Sequence, residues 1–229
     1  MANEEAINHY FQVVADAQAE ALELKPFHAR ITLLALLDAL SRAANPVGMR
    51  NSDRFTTLID QYTQWELSSS YSLRQLSFLL DESSATSLTP AIDGLRAEVA
   101  GRMQRFPMPG TLVHARDVDP STSDLQPFLT AEITRCIERV RYPRLLWALR
   151  NSVVHELRNL GKGTDFKLGK PTPYYHIVIE DSGERTWELY IPNVLITTIL
   201  TDAASTLKQH LTQIDRNPWD SFPYNPKWY

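Results

Sequence analysis

One stretch constrains this chain more than any other: Phe27 to Ala44, FHARITLLALLDALSRAA. Ile31, Leu34, Ala35, Asp38 and Arg42 follow helical steps of three and four, while Leu33, Leu36, Leu37 and Leu40 add apolar sides around the rest of the turn. A helix apolar over most of its circumference has to be surrounded by other elements, so it is predicted to be the buried centre of a helical domain. Pro26 suits a first helical turn, where its missing N–H costs nothing, and Asn45-Pro46-Val47-Gly48 ends the helix. The greasiest part, Ile31 to Leu40, is interrupted by Asp38 and falls well short of the ~20 residues that a membrane span needs. No membrane association is expected.

Helical patterns surround this centre. Residues 4–22 hold helix formers without Pro or Gly. Ser52 is placed to cap a helix from Asp53 to about Trp65, with Phe55, Leu58, Ile59 and Tyr62 on one face. Further helices are expected over 71–81 and 90–105, separated by a polar Ser/Thr stretch from Ser83 to Thr89. Residues 106–127 hold four Pro and one Gly with little periodicity and read as a long loop, of the kind that is often functional. Helical pattern resumes over 128–142, and Pro143 opens another helix, Arg144 to about Leu160, stopped by Gly161 and Gly163. A single strand signal follows: Tyr174–Glu180 and Arg185–Ile191 flank Asp-Ser-Gly-Glu as a β-hairpin. Pro192 opens a last helix to about Ile214. The expected fold is mainly α, a helical bundle with a small β-hairpin (about 174–191), in one domain over 1–216. The Pro-rich, aromatic tail 217–229 is expected to be extended.

Composition supports this. The chain has 229 residues, 43% of them apolar, and a net charge of −4. Such a balance excludes a disordered or collagen-like chain and a polycation that coats nucleic acid by charge alone. Cys136, the one cysteine, cannot form an internal disulfide, which fits a reducing compartment. The start, MANEEAINHYFQVV, lacks the basic n-region of a secretory signal, so a cytoplasmic protein is expected.

Charge is unevenly spread. Between Arg135 and Lys170 there are nine Lys/Arg and three acids, so this segment is +6 and the remainder −10. A local positive surface suits a phosphate-bearing ligand. Inside the segment lies Leu146-Trp-Ala-Leu-Arg150-Asn151-Ser-Val-Val-His155-Glu156. Leu146, Leu149, Val153, Leu157 and Leu160 form its buried stripe by spacing. Asn151 and His155, four apart, share another face, and Arg158 continues that line. Arg150 is five residues from His155, about 140° around the helix and about 7.5 Å along it. Two arrangements bring them together: the Arg150 stem bends its guanidinium to the imidazole, or two copies of the helix cross in a dimer.

Arg150-Asn151-x-x-x-His155, late in a mostly helical chain, resembles the R-x4-6-H motif of the HEPN superfamily (higher eukaryotes and prokaryotes nucleotide-binding), in which a small polar residue commonly follows the Arg. The resemblance implies a HEPN-like helical bundle, a homodimer with a shared cleft and, in many members, RNA cleavage that needs no metal or other cofactor. The residue types suit that chemistry. Neutral His is the side chain best poised near pH 7 to move a proton. Arg stays charged and forks onto phosphate oxygens, and an amide can orient the imidazole. Catalysis is therefore assigned to Arg150 (phosphate stabilisation), His155 (proton transfer) and Asn151 (orientation), with a 2′,3′-cyclic phosphate product. Arg144, Arg158 and Lys162 are assigned to substrate binding. The alternative is a non-catalytic binding or dimerisation module, paired with an antitoxin or phage-defence partner or holding a nucleotide.

Other signals are weaker. His155-Glu156 begins H-E-x-x-H, but position 159 is Asn. Arg50-Asn51-Ser52 repeats the tripeptide at 150–152 but has Phe55 where the imidazole would be. Gly161-Lys-Gly-Thr164 lacks the spacing of a phosphate loop. His9, His28, His114, His176 and His210 show no metal-ligand spacing. Trp147 and Trp187 read as core residues before base-stacking platforms.

Overall fold

Two helices open the chain, α1 (Ala2–Leu22) and α2 (Pro26–Ala44), in a computed structural model that describes residues 2–45, 48–82, 90–106, 112–158, 171–179, 183 and 185–222. Then come α3 (Asn51–Tyr62), α4 (Leu73–Glu82), α5 (Pro90–Met103), the short β1 (Val113–His114), and α6 (Ala115–Val118) and α7 (Thr122–Leu125) of four residues each. The chain continues through α8 (Ala131–Ile137), α9 (Tyr142–His155), β2 (Tyr174–Ile179), β3 (Arg185–Tyr190) and α10 (Asn193–Gln213). The fold is mainly helical with a small antiparallel sheet.

As its all-round apolarity requires, α2 is central. It packs against α1, α3, α9 and α10, and Leu33, Leu34, Leu37 and Leu40 are fully buried. Around them close Ile7, Tyr10 and Phe11 of α1, Phe55, Leu58 and Ile59 of α3, Leu146, Leu149 and Val153 of α9, and the apolar face of α10. Each leucine so buried contributes on the order of 2 kcal/mol. A second cluster joins Leu73, Leu76, Leu79 and Leu80 of α4 to Leu95 and Val99 of α5, Leu125 of α7, and Ile133 and Ile137 of α8.

A third, smaller cluster lies around Tyr142 and Tyr175 and has a polar centre. The buried Asp119 carboxylate accepts from the Leu73 N–H at the start of α4 (2.9 Å), from Tyr142 Oη at the start of α9 (2.5 Å) and from Tyr175 Oη of β2 (2.7 Å). Ser72 Oγ lies 2.9 Å from Tyr175 Oη. Burial pushes the Asp119 carboxyl up to about 7, against the pull of the Tyr142, Leu73 and Tyr175 hydrogen bonds and the Arg102 charge. Both tyrosine hydroxyls are raised well above their ordinary value, first by burial and then by Asp119, so they stay protonated as donors.

This arrangement corrects the expectation of a long loop over 106–127. The described part of that segment carries β1, α6 and α7. Ser121 and Asp124 close a capping box at the start of α7, Ser121 Oγ accepting the Asp124 N–H and Asp124 Oδ2 accepting the Ser121 N–H. β1 adds a third strand to the expected hairpin, with Val113 opposite Tyr175 and His114 opposite Tyr174. The hairpin itself is antiparallel, from Tyr174 opposite Tyr190 to Ile179 opposite Arg185; most of its turn lies outside the described residues.

Several boundaries also differ. α3 starts at Asn51, so Ser52 lies inside the helix and caps nothing; Arg50 occupies the cap position without a side-chain hydrogen bond. The expected helix over 128–142 is reduced to α8, which Thr130 caps by accepting the Ile133 N–H, and a 3₁₀ turn over Glu138–Val140. Arg141 is extended as the N-cap residue of α9, the conformation usual at that position. α9 ends at His155 instead of running to Leu160, because Leu157 turns left-handed at φ +53°. Its expected place in the buried stripe is lost as well: Leu157 is 67% exposed. Leu160 and the Gly161 and Gly163 stops lie outside the described residues, as do Ser83–Thr89. In the C-terminal segment, residues Pro218–Ser221 form a 3₁₀ turn and Trp219 packs edge-on against Tyr10, centroids 4.9 Å apart. The described part of the tail therefore folds back on α1; residues 223–229 lie outside the description.

Candidate functional site

The site is built by α9 meeting α2. Leu146, Leu149 and Val153 bury one face of α9 in the main core, which fixes the helix about its axis. Arg150 is thereby turned toward α2, where Asp38 interrupts the apolar surface. Arg150 Nη2 donates to Asp38 Oδ2 at 2.8 Å. Both side chains are nearly out of solvent, at 11% and 9% exposure. A carboxylate in such a helix needs a cationic partner, because an isolated buried charge is too costly to keep.

The same guanidinium reaches the other two residues of the motif. Arg150 Nη1 donates to Asn151 Oδ1 at 3.1 Å and lies 2.5 Å from His155 Nε2. Of the two arrangements open from the sequence, the bending of the Arg150 stem is seen within one chain. The guanidinium carbon also sits 5.1 Å from the centre of the Trp147 ring, which in turn packs on Phe55, so Trp147 is a wall of the site and part of the core edge. Arg cannot surrender its proton, so Nε2 must be the accepting nitrogen and the imidazole hydrogen sits on Nδ1. His155 is exposed, at the last residue of α9.

Two buried polar atoms at this ion pair have no partner: Asp38 Oδ1 and Arg150 Nε. An Arg–carboxylate pair commonly forms two parallel hydrogen bonds. Here there is one, because Nη1 is drawn away to Asn151 and His155. Arg42, one turn along α2 from Asp38, approaches the same carboxylate oxygen at 3.8 Å.

The other expected substrate-binding residues are not brought to this place. Arg144, six residues and about 9 Å earlier on α9, donates to Asp53 Oδ1 of α3 at 2.7 Å and lies 3.8 Å from Glu138. That pairing clamps α9 to α3, away from the Arg150 guanidinium. Arg158 does not continue the helical line, since α9 has already ended; its guanidinium is 2.5 Å from Glu156 Oε2, with both side chains exposed. Lys162 lies outside the described residues. Asp38 and Arg42 are the site residues that the sequence reading missed. Their signal was a lone acid inside the most apolar helix, four residues before a basic one.

Among the described residues no group of three or more His, Cys, Asp or Glu is placed to hold a metal ion, and no helix is long and apolar enough to cross a membrane. No protein-family model, curated protein or solved structure matches the chain.

Proposed function

We propose that this chain is a metal-independent endoribonuclease of the HEPN type, acting as a homodimer. The observation that carries the reading is the contact of Arg150 Nη1 with His155 Nε2 at 2.5 Å, on an imidazole open to solvent. The substrate's 2′-hydroxyl gives its proton to His155 Nε2 and its oxygen bonds to the adjacent phosphorus; the P–O5′ bond breaks, the leaving 5′-oxygen takes a proton from water, and His155 afterwards returns its own proton to solvent. The products are a 2′,3′-cyclic phosphate and a 5′-hydroxyl. As the phosphate enters, the Nη1 N–H that covers Nε2 passes to a phosphate oxygen, which frees the ring nitrogen. Asp38 keeps hold of Nη2 throughout, and Asn151 keeps the guanidinium aligned.

The test is incubation of the full chain with mixed single-stranded RNA in EDTA. Positioned proton transfer typically contributes about 10²–10⁴-fold, so His155→Ala is expected to lose cleavage by that factor. Unchanged cleavage in His155→Ala, or none in the wild type, overturns the proposal. Light scattering reads the dimer. One observation favours a second reading, a non-catalytic binding or dimerisation module: Arg150 is committed to Asp38 as a structural cation would be. That reading predicts an intact RNA pattern and a His155→Ala effect confined to assembly.

A further inference from the structure

Arg150 has five N–H donors, and most are already committed. Nη1 serves Asn151 and His155, Nη2 serves Asp38, and Nε is buried. It can offer a phosphate little more than the Nη1 group. A phosphodiester has two non-bridging oxygens, and both gain charge as the phosphorus becomes pentavalent.

The second cation comes from α2. Arg42 is 41% exposed, and its contact with Asp38 Oδ2, at 3.8 Å, is too long for a hydrogen bond. Its donors are therefore available. Arg42 Nη2 and Arg150 Nη2 lie 3.8 and 2.8 Å from the same oxygen atom, so the two guanidiniums are neighbours at Asp38. One phosphate oxygen can accept from Arg150 Nη1 and the other from Arg42, each at about 2.8 Å. Two guanidiniums share one carboxylate, which leaves a net charge of +1 beside a solvent-open imidazole.

We propose that Arg42 of α2 and Arg150 of α9 form a two-guanidinium site, hinged on Asp38, that grips one backbone phosphate of single-stranded RNA. The inference rests on the ribonuclease reading for its ligand, and it places half of the phosphate grip on α2, outside the motif.

Binding of a fluorescein-labelled 12-nucleotide 2′-O-methyl RNA of mixed sequence, which lacks the attacking hydroxyl, to the full chain tests it, measured across a salt series with wild type, Arg42→Gln and Arg139→Gln. Arg139 is a fair control, an exposed cation with an equally loose partner, Glu82 at 3.8 Å. Loss of one phosphate contact on a single strand lowers the slope of log affinity against log salt by about 0.7. Arg42→Gln is expected to show that change with roughly tenfold weaker binding, and Arg139→Gln to match wild type. Equal affinity and slope in Arg42→Gln and wild type overturns the proposal. A second arm uses inorganic sulfate and a thermal melt. If wild type binds no RNA, the ribonuclease reading fails by itself. The grip then stands if sulfate raises the wild-type melting temperature but not that of Arg42→Gln, and falls if sulfate affects both alike.

Discussion

Asp38→Asn is the substitution that most directly tests how the site is held. It keeps the size of the side chain and removes its charge. Arg150, whose side chain is 11% exposed, is then left as a cation without its counter-ion, with Arg42 still close by. At 2.8 Å and an effective dielectric constant of about 20, the lost attraction is on the order of 6 kcal/mol. Measured costs of removing one partner of a buried pair run about 3–5 kcal/mol. Against a total stability of roughly 5–15 kcal/mol, that is a large share. For a chain of this length each kcal/mol moves the melting temperature by about 2–4 °C, so a fall of roughly 10 °C is expected. The Asp38→Leu/Arg150→Met double variant, which removes both charges, should melt within about 2 kcal/mol of wild type, because an apolar pair of similar volume replaces a buried ion pair at little net cost. Calorimetry on wild type, Asp38→Leu, Arg150→Met and the double variant gives the coupling. A fall of less than roughly 2 °C in Asp38→Asn, under 1 kcal/mol at this size, would show that the Asp38 charge does not hold Arg150 in place.

Asp119 makes stability depend on pH in a defined direction. Its folded carboxyl titrates at about 7, above the ordinary 3.8. The folded state thus holds the proton more tightly, and the contribution is full below pH 4 and lost as pH rises toward and through 7; at its full extent it is about 4 kcal/mol. The melting temperature of Asp119→Asn relative to wild type should climb across pH 4–8, and a constant difference over that range would count against burial as the dominant cause. Leu157→Gly should stabilise the chain: a left-handed Leu costs roughly 1–2 kcal/mol and glycine gives back about 0.5–1 in chain entropy, so the melting temperature should rise by about 2 °C. A decrease would show that the exposed leucine side chain makes a contact worth more than its backbone strain.

The parts of the fold that were legible are those whose pattern is local. α2 announced itself by apolarity on every side, and the hairpin by two β-rich runs around a glycine-containing turn. The segment around Asp119 was not legible, because its order comes from partners at Leu73, Tyr142 and Tyr175, 23 to 56 residues away. β1 is two residues long and exists only as an edge to β2, so no alternation could reveal it. The end of α9 was misplaced because the glycines at 161 and 163 are the usual stop signals, whereas the chain turns left-handed at a leucine, the kind of residue that rarely does so. At the site, Arg150, Asn151 and His155 were found by spacing. Asp38 was visible only as a flaw in an apolar pattern, since an ion pair between α2 and α9 spans 112 residues.

The Asp119 cluster also limits how the protein can be rebuilt. A stretch of prolines, serines and threonines between two helices invites trimming, loop grafting or the insertion of a tag. Here, cutting into 113–125 would remove the carboxylate that pins the first residue of α4, the opening turn of α9 and the sheet to one point, and α9 carries the candidate catalytic residues at its other end. Splice points belong elsewhere on this chain.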